Sequence, residues 1–241
     1  MAIREYVKRV FPGTAEEFCD VAGKAMLEEK RLFVITANPE ILMHAGDDPA
    51  IRKMLLEEST AVVPDGISVV KAMNLLGYPA KERITGVDLA DKLLKLAGEK
   101  GKSVYLLGAK EEVVSALAEK LKAQYPQIKV QYKNGYGKDK DADFQEIVKA
   151  QPDLVLVALG VPAQELLIAR HLEKFQKGVF IGVGGSFDVL SGSKRRAPAF
   201  FVRTNTEWLY RILREPSRLG RFYRNNVKFL GQVRKEAKGR P

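Results

Sequence analysis

Six short apolar runs alternate with helix-patterned segments along the 241 residues, and this alternation predicts an α/β fold. The expected architecture is Rossmann-like: a mostly parallel sheet covered by helices on both faces. Two further observations support it. The runs within Arg31–Thr36 and Asp153–Leu159 are continuously apolar rather than alternating, as in strands buried on both sides. Small or polar residues stand at their carboxyl ends, where open α/β sheets bind ligands. We divide the chain into a core over 1–193 and a basic amphipathic C-terminal appendage over 194–241.

Thr14 and Glu17 have capping-box spacing and open a helix running to about Glu29. Arg31–Thr36 is the first strand. Asn38-Pro39 then starts a helix that extends to about Glu57, with Pro39 suited to its first turn. Ala61–Val63 is the second strand, and Asp65-Gly66 leads into a helix that ends before Gly77. Arg83–Gly86 is a loop, Asp88–Glu99 a helix and Lys102–Leu107 a strand ending at Gly108. A helix over Glu111–Gln124, a strand over Ile128–Tyr132 and a helix over Asp143–Ala150 follow. Asp153–Leu159 is strongly apolar, and Gly160–Glu165 opens a helix to about Phe175. Gly178–Val183 is the last strand. In the tail, Thr204–Arg214 reads as a helix with an apolar stripe (Trp208, Leu209, Ile212, Leu213). Glu215-Pro216 interrupts it before a second helix.

Composition limits the function classes. A single cysteine, Cys19, cannot form an internal disulfide, which fits a reducing compartment. Two isolated histidines make a zinc site improbable. No apolar run reaches membrane-spanning length, and the N-terminus lacks a signal core, so a cytoplasmic location is expected. The net charge of +10 is concentrated. From Ser191 onward there are fourteen Lys and Arg against three Asp and Glu, whereas residues 1–190 carry 26 and 27. Such asymmetry points to an anionic partner. Arg211, Arg214, Arg218, Arg221 and Arg224 recur every three or four residues, which places them near one face within each helix. With Phe222, Tyr223 and Phe229 alongside, the tail suits an anionic membrane surface or phosphate groups. The abundance of Lys, Glu and Arg is also a weak thermophile signature.

Asp65 alone is either a cap for the helix after it or a ligand-facing carboxylate. Gly108, Gly160 and Gly182-Val-Gly184-Gly185 let backbone N–H groups approach an anion, yet the dinucleotide fingerprint is broken by Phe187 and no Walker loop is present. Asp139-Lys-Asp141 has a metal-like spacing, but its polar setting favours a capping role. His171, between charged neighbours, reads as a surface residue.

Seven motifs then occur in a fixed order: Thr36-Ala-Asn38-Pro-Glu40, Val63-Pro-Asp65-Gly66, Arg83-Ile-Thr-Gly86-Val-Asp88, Leu106-Leu-Gly108, Gly160-Val-Pro-Ala-Gln164-Glu165, Gly182-Val-Gly184-Gly185-Ser-Phe-Asp188 and Glu207-Trp-Leu-Tyr-Arg211. The chain from about residue 31 onward resembles the WecG/TagA/CpsF glycosyltransferases, in particular the wall teichoic acid N-acetylmannosaminyltransferases. The resemblance implies transfer of N-acetylmannosamine from UDP-N-acetylmannosamine to undecaprenyl-diphosphate-N-acetylglucosamine, with inversion and without metal or other cofactor. It implies Asp65 as general base and Thr36, Asn38 and Gln164 as pocket residues. Gly66, Arg83, Gly108, Gly160, Glu165, Gly184, Gly185 and Asp188, from the same motifs, complete the expected substrate-binding set. The arginine row would meet the acceptor diphosphate at the inner face of the cell membrane, where the enzyme would sit peripherally, and the greasy tail suggests a homo-oligomer.

One departure bears on the donor. The family commonly has Lys where this chain has Ala163, which can supply no charge to donor phosphates. UDP-N-acetylmannosaminuronic acid is the alternative donor. A nucleic-acid-binding α/β protein is the alternative from another class, disfavoured by the tail's apolar stripe and the absence of a nucleic-acid module. A dinucleotide enzyme is disfavoured by the broken glycine pattern.

Overall fold

All six apolar runs form strands in the computed structural model, which describes residues 3–239; the side chains of Arg218 and Arg221 lie outside the described residues. The strands are β1 (Arg31–Ala37), β2 (Thr60–Pro64), β3 (Ser103–Gly108), β4 (Lys129–Lys133), β5 (Leu154–Ala158) and β6 (Gly178–Gly182). They make one sheet in the order β2-β1-β6-β5-β3-β4, with every neighbouring pair parallel. Parallel pairing requires a crossover between strands, and helices make those crossovers on both faces.

Successive side chains along each strand feed opposite layers. Phe33, Ile35 and Ala37 face one layer and Val34 the other. The first layer holds α1 (Ile3–Lys8), α3 (Pro39–Asp47), α4 (Pro49–Leu56), α5 (Ile67–Leu76), α8 (Lys140–Ala150) and α9 (Ala163–His171). The second holds α2 (Ala15–Leu27), α6 (Gly86–Glu99), α7 (Glu111–Gln124) and α10 (Ser186–Leu190). The tail contributes α11 (Ala199–Arg203), α12 (Glu207–Arg214) and α13 (Arg218–Lys238).

Local chemistry explains most boundaries. Thr14 and Glu17 form the reciprocal capping box at α2. The expected single helix from Pro39 to Glu57 is in fact two. Asp48 ends α3 and its Oδ1 then accepts from the N–H groups of Ala50 and Ile51 to start α4. Pro49 enforces the break, because it has no N–H to continue α3 and fits the first turn of α4. Thr85, not Asp88, caps α6, so that helix starts two residues earlier than its charge pattern suggests. Asp139 caps α8 through the Ala142 N–H. The helix opened at Gly160–Glu165 becomes a 3-10 turn at Leu172–Lys174, short of Phe175.

His171 is a correction to the surface reading. It is buried, stacks on Phe144 with ring centroids 5.1 Å apart, and contacts Asp141 Oδ1 through Nε2 at 2.7 Å. Arg170 and Lys174 supply the exposed charge around it, and the apolar side of α8 claims the imidazole ring.

The last helix returns to the body of the molecule. Phe229 and Val233 of α13 are fully buried in the first layer, against α1, α3 and α5. Glu236 accepts from the N–H groups of Ile3 and Arg4 at 2.7 and 2.8 Å and so satisfies the start of α1. Phe229→Ala should therefore cost about 3–5 kcal/mol, as for other fully buried phenylalanines. Leu213→Ala, at an exposed position of the same tail, should stay within about 0.5 kcal/mol. Urea denaturation of the two variants checks the contrast.

Candidate active site

Four strand ends, those of β2, β1, β6 and β5, lie side by side, and the tail crosses above them. Between the two is a cleft of about 650 Å³. Its floor and walls include Thr36, Asn38, Asp65, Gly160, Gln164, Gly184 and Gly185; Trp208, Arg211, Phe222, Asn225 and Asn226 come from α12 and α13. The motifs singled out from separate parts of the sequence thus meet in one place.

Asp65 follows β2 directly, and its backbone N–H donates to Ala37 O at 2.8 Å, fixing it to the end of β1. It does not cap α5: Gly66 holds that position and makes no side-chain capping bond. The carboxylate is instead left facing the cleft. Burial pushes its pKa above the usual carboxylate value. The Arg83 and Arg211 charges and the Gly86 N–H, at the start of α6, oppose that rise, while Glu207 adds to it. The net result is a more basic carboxylate than a solvated one.

Gln164 joins two turns. Its Oε1 accepts from the Gly160 N–H at 3.1 Å and the Gly184 N–H at 3.0 Å. Its Nε2 donates to Glu165 Oε1 at 2.7 Å. Both side chains press on Gly182, where an added Cβ would come within 2.5 Å of Gln164 Nε2 and 2.8 Å of Glu165 Oε1. Glu165 is buried, and Oε2 has no hydrogen-bond partner among the described residues. Burial pushes its pKa up to about 7, and the Glu40 carboxylate adds to the rise. Thr36 donates to Gly182 O at 3.2 Å, and Asn38 Oδ1 accepts from the N–H groups of Glu40 and Ile41, starting α3.

The tail is held down by charge. Glu207, at the first turn of α12, is almost fully buried. It accepts from Arg83 Nη2 at 2.5 Å, and its other oxygen lies 3.5 Å from Arg196 Nε. Arg196 in turn makes a bidentate pair with Asp88 at 2.5 and 2.8 Å. Asn226 of α13 accepts from Ser68 of α5 at 2.7 Å. These bonds place Arg211, one turn beyond Glu207, over the cleft.

The expected binding set divides accordingly. Thr36, Asn38, Gly160, Gln164, Gly184, Gly185 and Arg211 line the cleft. Arg83 acts on Asp65 through charge and is paired with Glu207. Glu165 sits behind Gln164, buried where α9 packs against β6. Gly66 starts α5, and Asp188 on α10 pairs with Lys194 at 3.6 Å. Gly108 is a close-approach residue: an added Cβ would meet Ala158 O at 2.4 Å on the neighbouring strand. Arg214 and Arg224 are exposed, and Arg218 and Arg221 fall outside the described side chains.

Sequence reasoning gave no role to Arg196, Asn225 or Asn226, quoted Glu207 only as part of a motif, and read Phe222 as apolar surface beside the arginine row. Trp208, the chain's single tryptophan, and the Asn225-Asn226 pair inside a basic helix were the available signals.

Comparison with known proteins matches residues 7–241 to the model of the glycosyl transferase WecG/TagA/CpsF family. A protein of Bacillus subtilis (strain 168) is 39% identical over 225 residues, 92% of this chain and 87% of the relative. One of Bacillus spizizenii is 41% identical over 192 residues, 79% and 74% of the two chains. One of Staphylococcus aureus (strain MW2) is 40% identical over 191 residues, 79% and 75%. Each relative is named N-acetylglucosaminyldiphosphoundecaprenol N-acetyl-beta-D-mannosaminyltransferase.

Glu165 generates a pH prediction. Its folded pKa lies above its value of 4.5 in the open chain, so the folded state binds the extra proton. The resulting penalty is absent below pH 4.5, grows through the window up to about pH 7, and is complete above it. Glu165→Gln keeps the acceptor for Gln164 and removes the titration. Its stability relative to the parent chain should rise by on the order of 3 kcal/mol between about pH 4 and pH 8, measured by urea denaturation.

Proposed function

This chain belongs to the WecG/TagA/CpsF glycosyltransferase family, and from that premise we propose that it transfers N-acetylmannosamine from UDP-N-acetylmannosamine to a lipid-diphosphate-linked N-acetylglucosamine. The single observation that carries the mechanism is the position of Asp65. It is a cleft carboxylate with a raised pKa, fixed to two strand ends and facing two arginines. In the proposed reaction Asp65 takes the proton of the attacking acceptor hydroxyl. The acceptor oxygen bonds to the sugar's anomeric carbon from the face opposite the departing UDP, which inverts that centre. A base above the ordinary carboxylate pKa is better matched to this task near neutral pH.

The leaving diphosphate gathers negative charge as the bond breaks. The Gly160 and Gly184 N–H groups are committed to Gln164 Oε1, which leaves the Gly185 backbone and the Arg211 guanidinium to supply a donor and positive charge in the same cleft. Arg211 would compensate for Ala163 at the start of α9, which offers no cation. We take this set as sufficient for transfer without a metal ion.

The outer face of the tail supports action at a membrane. Phe200, Leu213, Leu219, Tyr223 and Val227 are exposed alongside Arg214 and Arg224. An amphipathic pair of helices of this kind suits an anionic bilayer surface, where the lipid acceptor resides. Among the described residues no helix is long and apolar enough to cross a membrane. In solution, self-association would cover the same face.

The test is UDP release from UDP-N-acetylmannosamine with a lipid-diphosphate-N-acetylglucosamine acceptor in EDTA. The parent chain should release UDP only with acceptor present, and Asp65→Asn should lose about 10²–10⁴ of the rate. Equal release by both proteins would remove Asp65 from the role of base. No release by the parent would point to another donor sugar.

A further inference from the structure

The two tail helices present opposite chemistry on their two sides. The outer side carries exposed aliphatic and aromatic groups. The inner side presents Trp208, Arg211 and Ile212 from α12 and Phe222, Asn225 and Asn226 from α13. Both triplets have i, i+3, i+4 spacing, so each is one helix face turned to the cleft. A cover that only excluded water would be served by apolar groups. This one places two amides and an indole over a carboxylate.

Trp208 and Phe222 stack with centroids 4.4 Å apart and rings inclined by 6°. Phe222 therefore backs the indole and fixes its plane, yet Trp208 remains 37% exposed. Asn226 is committed to the frame: Oδ1 accepts from Ser68 Oγ at 2.7 Å and Nδ2 donates to Phe222 O at 3.0 Å. Asn225, beside it at the cleft wall, is the amide placed to read a ligand. A flat aromatic surface next to an amide suits a pyranose ring. The ring's C–H face carries partial positive charge towards the negative face of the indole, and its hydroxyl or acetamido groups pair with the amide.

We infer that the underside of the tail is the acceptor-sugar subsite, with Trp208 as the platform for the acceptor's N-acetylamino sugar and Asn225 as its polar reader. The inference rests on the proposed transfer to a lipid-diphosphate sugar and specifies where that sugar lies. Three observations favour acceptor over donor. The Gly184–Gly185 turn, where a donor diphosphate can approach the backbone closely, is on the opposite, strand-end wall. Asp65, which must reach the acceptor hydroxyl, feels the charge of Arg211, one turn from Trp208 on the same helix. The acceptor's lipid has to leave towards an apolar surface, and these same helices carry one on their outer side.

Because Trp208 is the only tryptophan, its emission reports the subsite directly. The experiment titrates the full chain with N-acetylglucosamine 1-diphosphate bearing a short polyprenyl group, in the presence of UDP, and measures acceptor and donor KM for Trp208→Ala, Trp208→Phe and Asn225→Ala. The parent should show a saturable emission change. Trp208→Ala should raise the acceptor KM about ten-fold and Trp208→Phe about three-fold, with the donor KM unchanged. An acceptor KM that stays at the parent value in both Trp208→Ala and Asn225→Ala overturns the subsite. Should Trp208→Ala fail to fold, Trp208→Phe and Asn225→Ala decide, since both retain a ring against Phe222. An emission change in the parent without transfer from UDP-N-acetylmannosamine would uphold the subsite and reject the donor. Transfer by the parent with neither emission change nor KM effect would reject the subsite alone.

Discussion

Glu207 is a buried carboxylate held between Arg83 and Arg196, and that contact docks the start of α12 beside the cleft. The three charged groups come from distant parts of the sequence: the loop before α6, the loop after α10 and the start of α12. Removing one partner from a buried pair leaves an uncompensated charge, which typically costs about 3–5 kcal/mol. The geometry extends the constraint further. Arg196 also clamps Asp88, whose Oδ2 accepts from the Thr85 hydroxyl, and Thr85 caps α6. The Gly86 N–H at that helix start favours the charged form of Asp65. One carboxylate thus couples the docking of the tail to the environment of the carboxylate on the floor.

That coupling accounts for the electrostatics of Asp65. Burial alone would disfavour its charged form, and two arginines plus a helix start restore part of it. Arg83 serves both carboxylates, so the position of Glu207 sets how much of its charge is left for Asp65. The parallel sheet contributes rigidity. Asp65, Thr36 and Gln164 are each tied by hydrogen bonds to strand ends or to the turns that follow them, and none relies on a long loop. The tail contributes what the strand ends lack: a cation and an aromatic surface.

Five of the six strands were legible because each is a short apolar run ended by Gly, Pro or a polar residue, and β4 by the alternation of Val130 and Tyr132 with polar residues, patterns that survive without tertiary information. The floor of the site was legible for the same reason, since strand ends are where such sheets place ligands. The break at Asp48-Pro49 was also written in the residues, but helix periodicity continues across it and hid the boundary. His171 shows the limit of reading charge locally. Its neighbours are charged, while Phe144, 27 positions away in sequence, decides its burial. The upper half of the site was illegible for a comparable reason. Glu207 pairs with Arg83 across 124 residues, and Ser68 with Asn226 across 158, separations that no periodicity reports.

The central claim is that Glu207 holds the tail closed over Asp65 and that closure is required for transfer. It is tested most directly by combining amide hydrogen exchange with acceptor-dependent turnover in Glu207→Ala. The account predicts faster exchange over residues 207–214, unchanged protection in β5 and β6, and turnover reduced by about ten-fold or more. Loosened exchange in the tail with turnover equal to the parent's would contradict it, because the cleft would then work without its upper half.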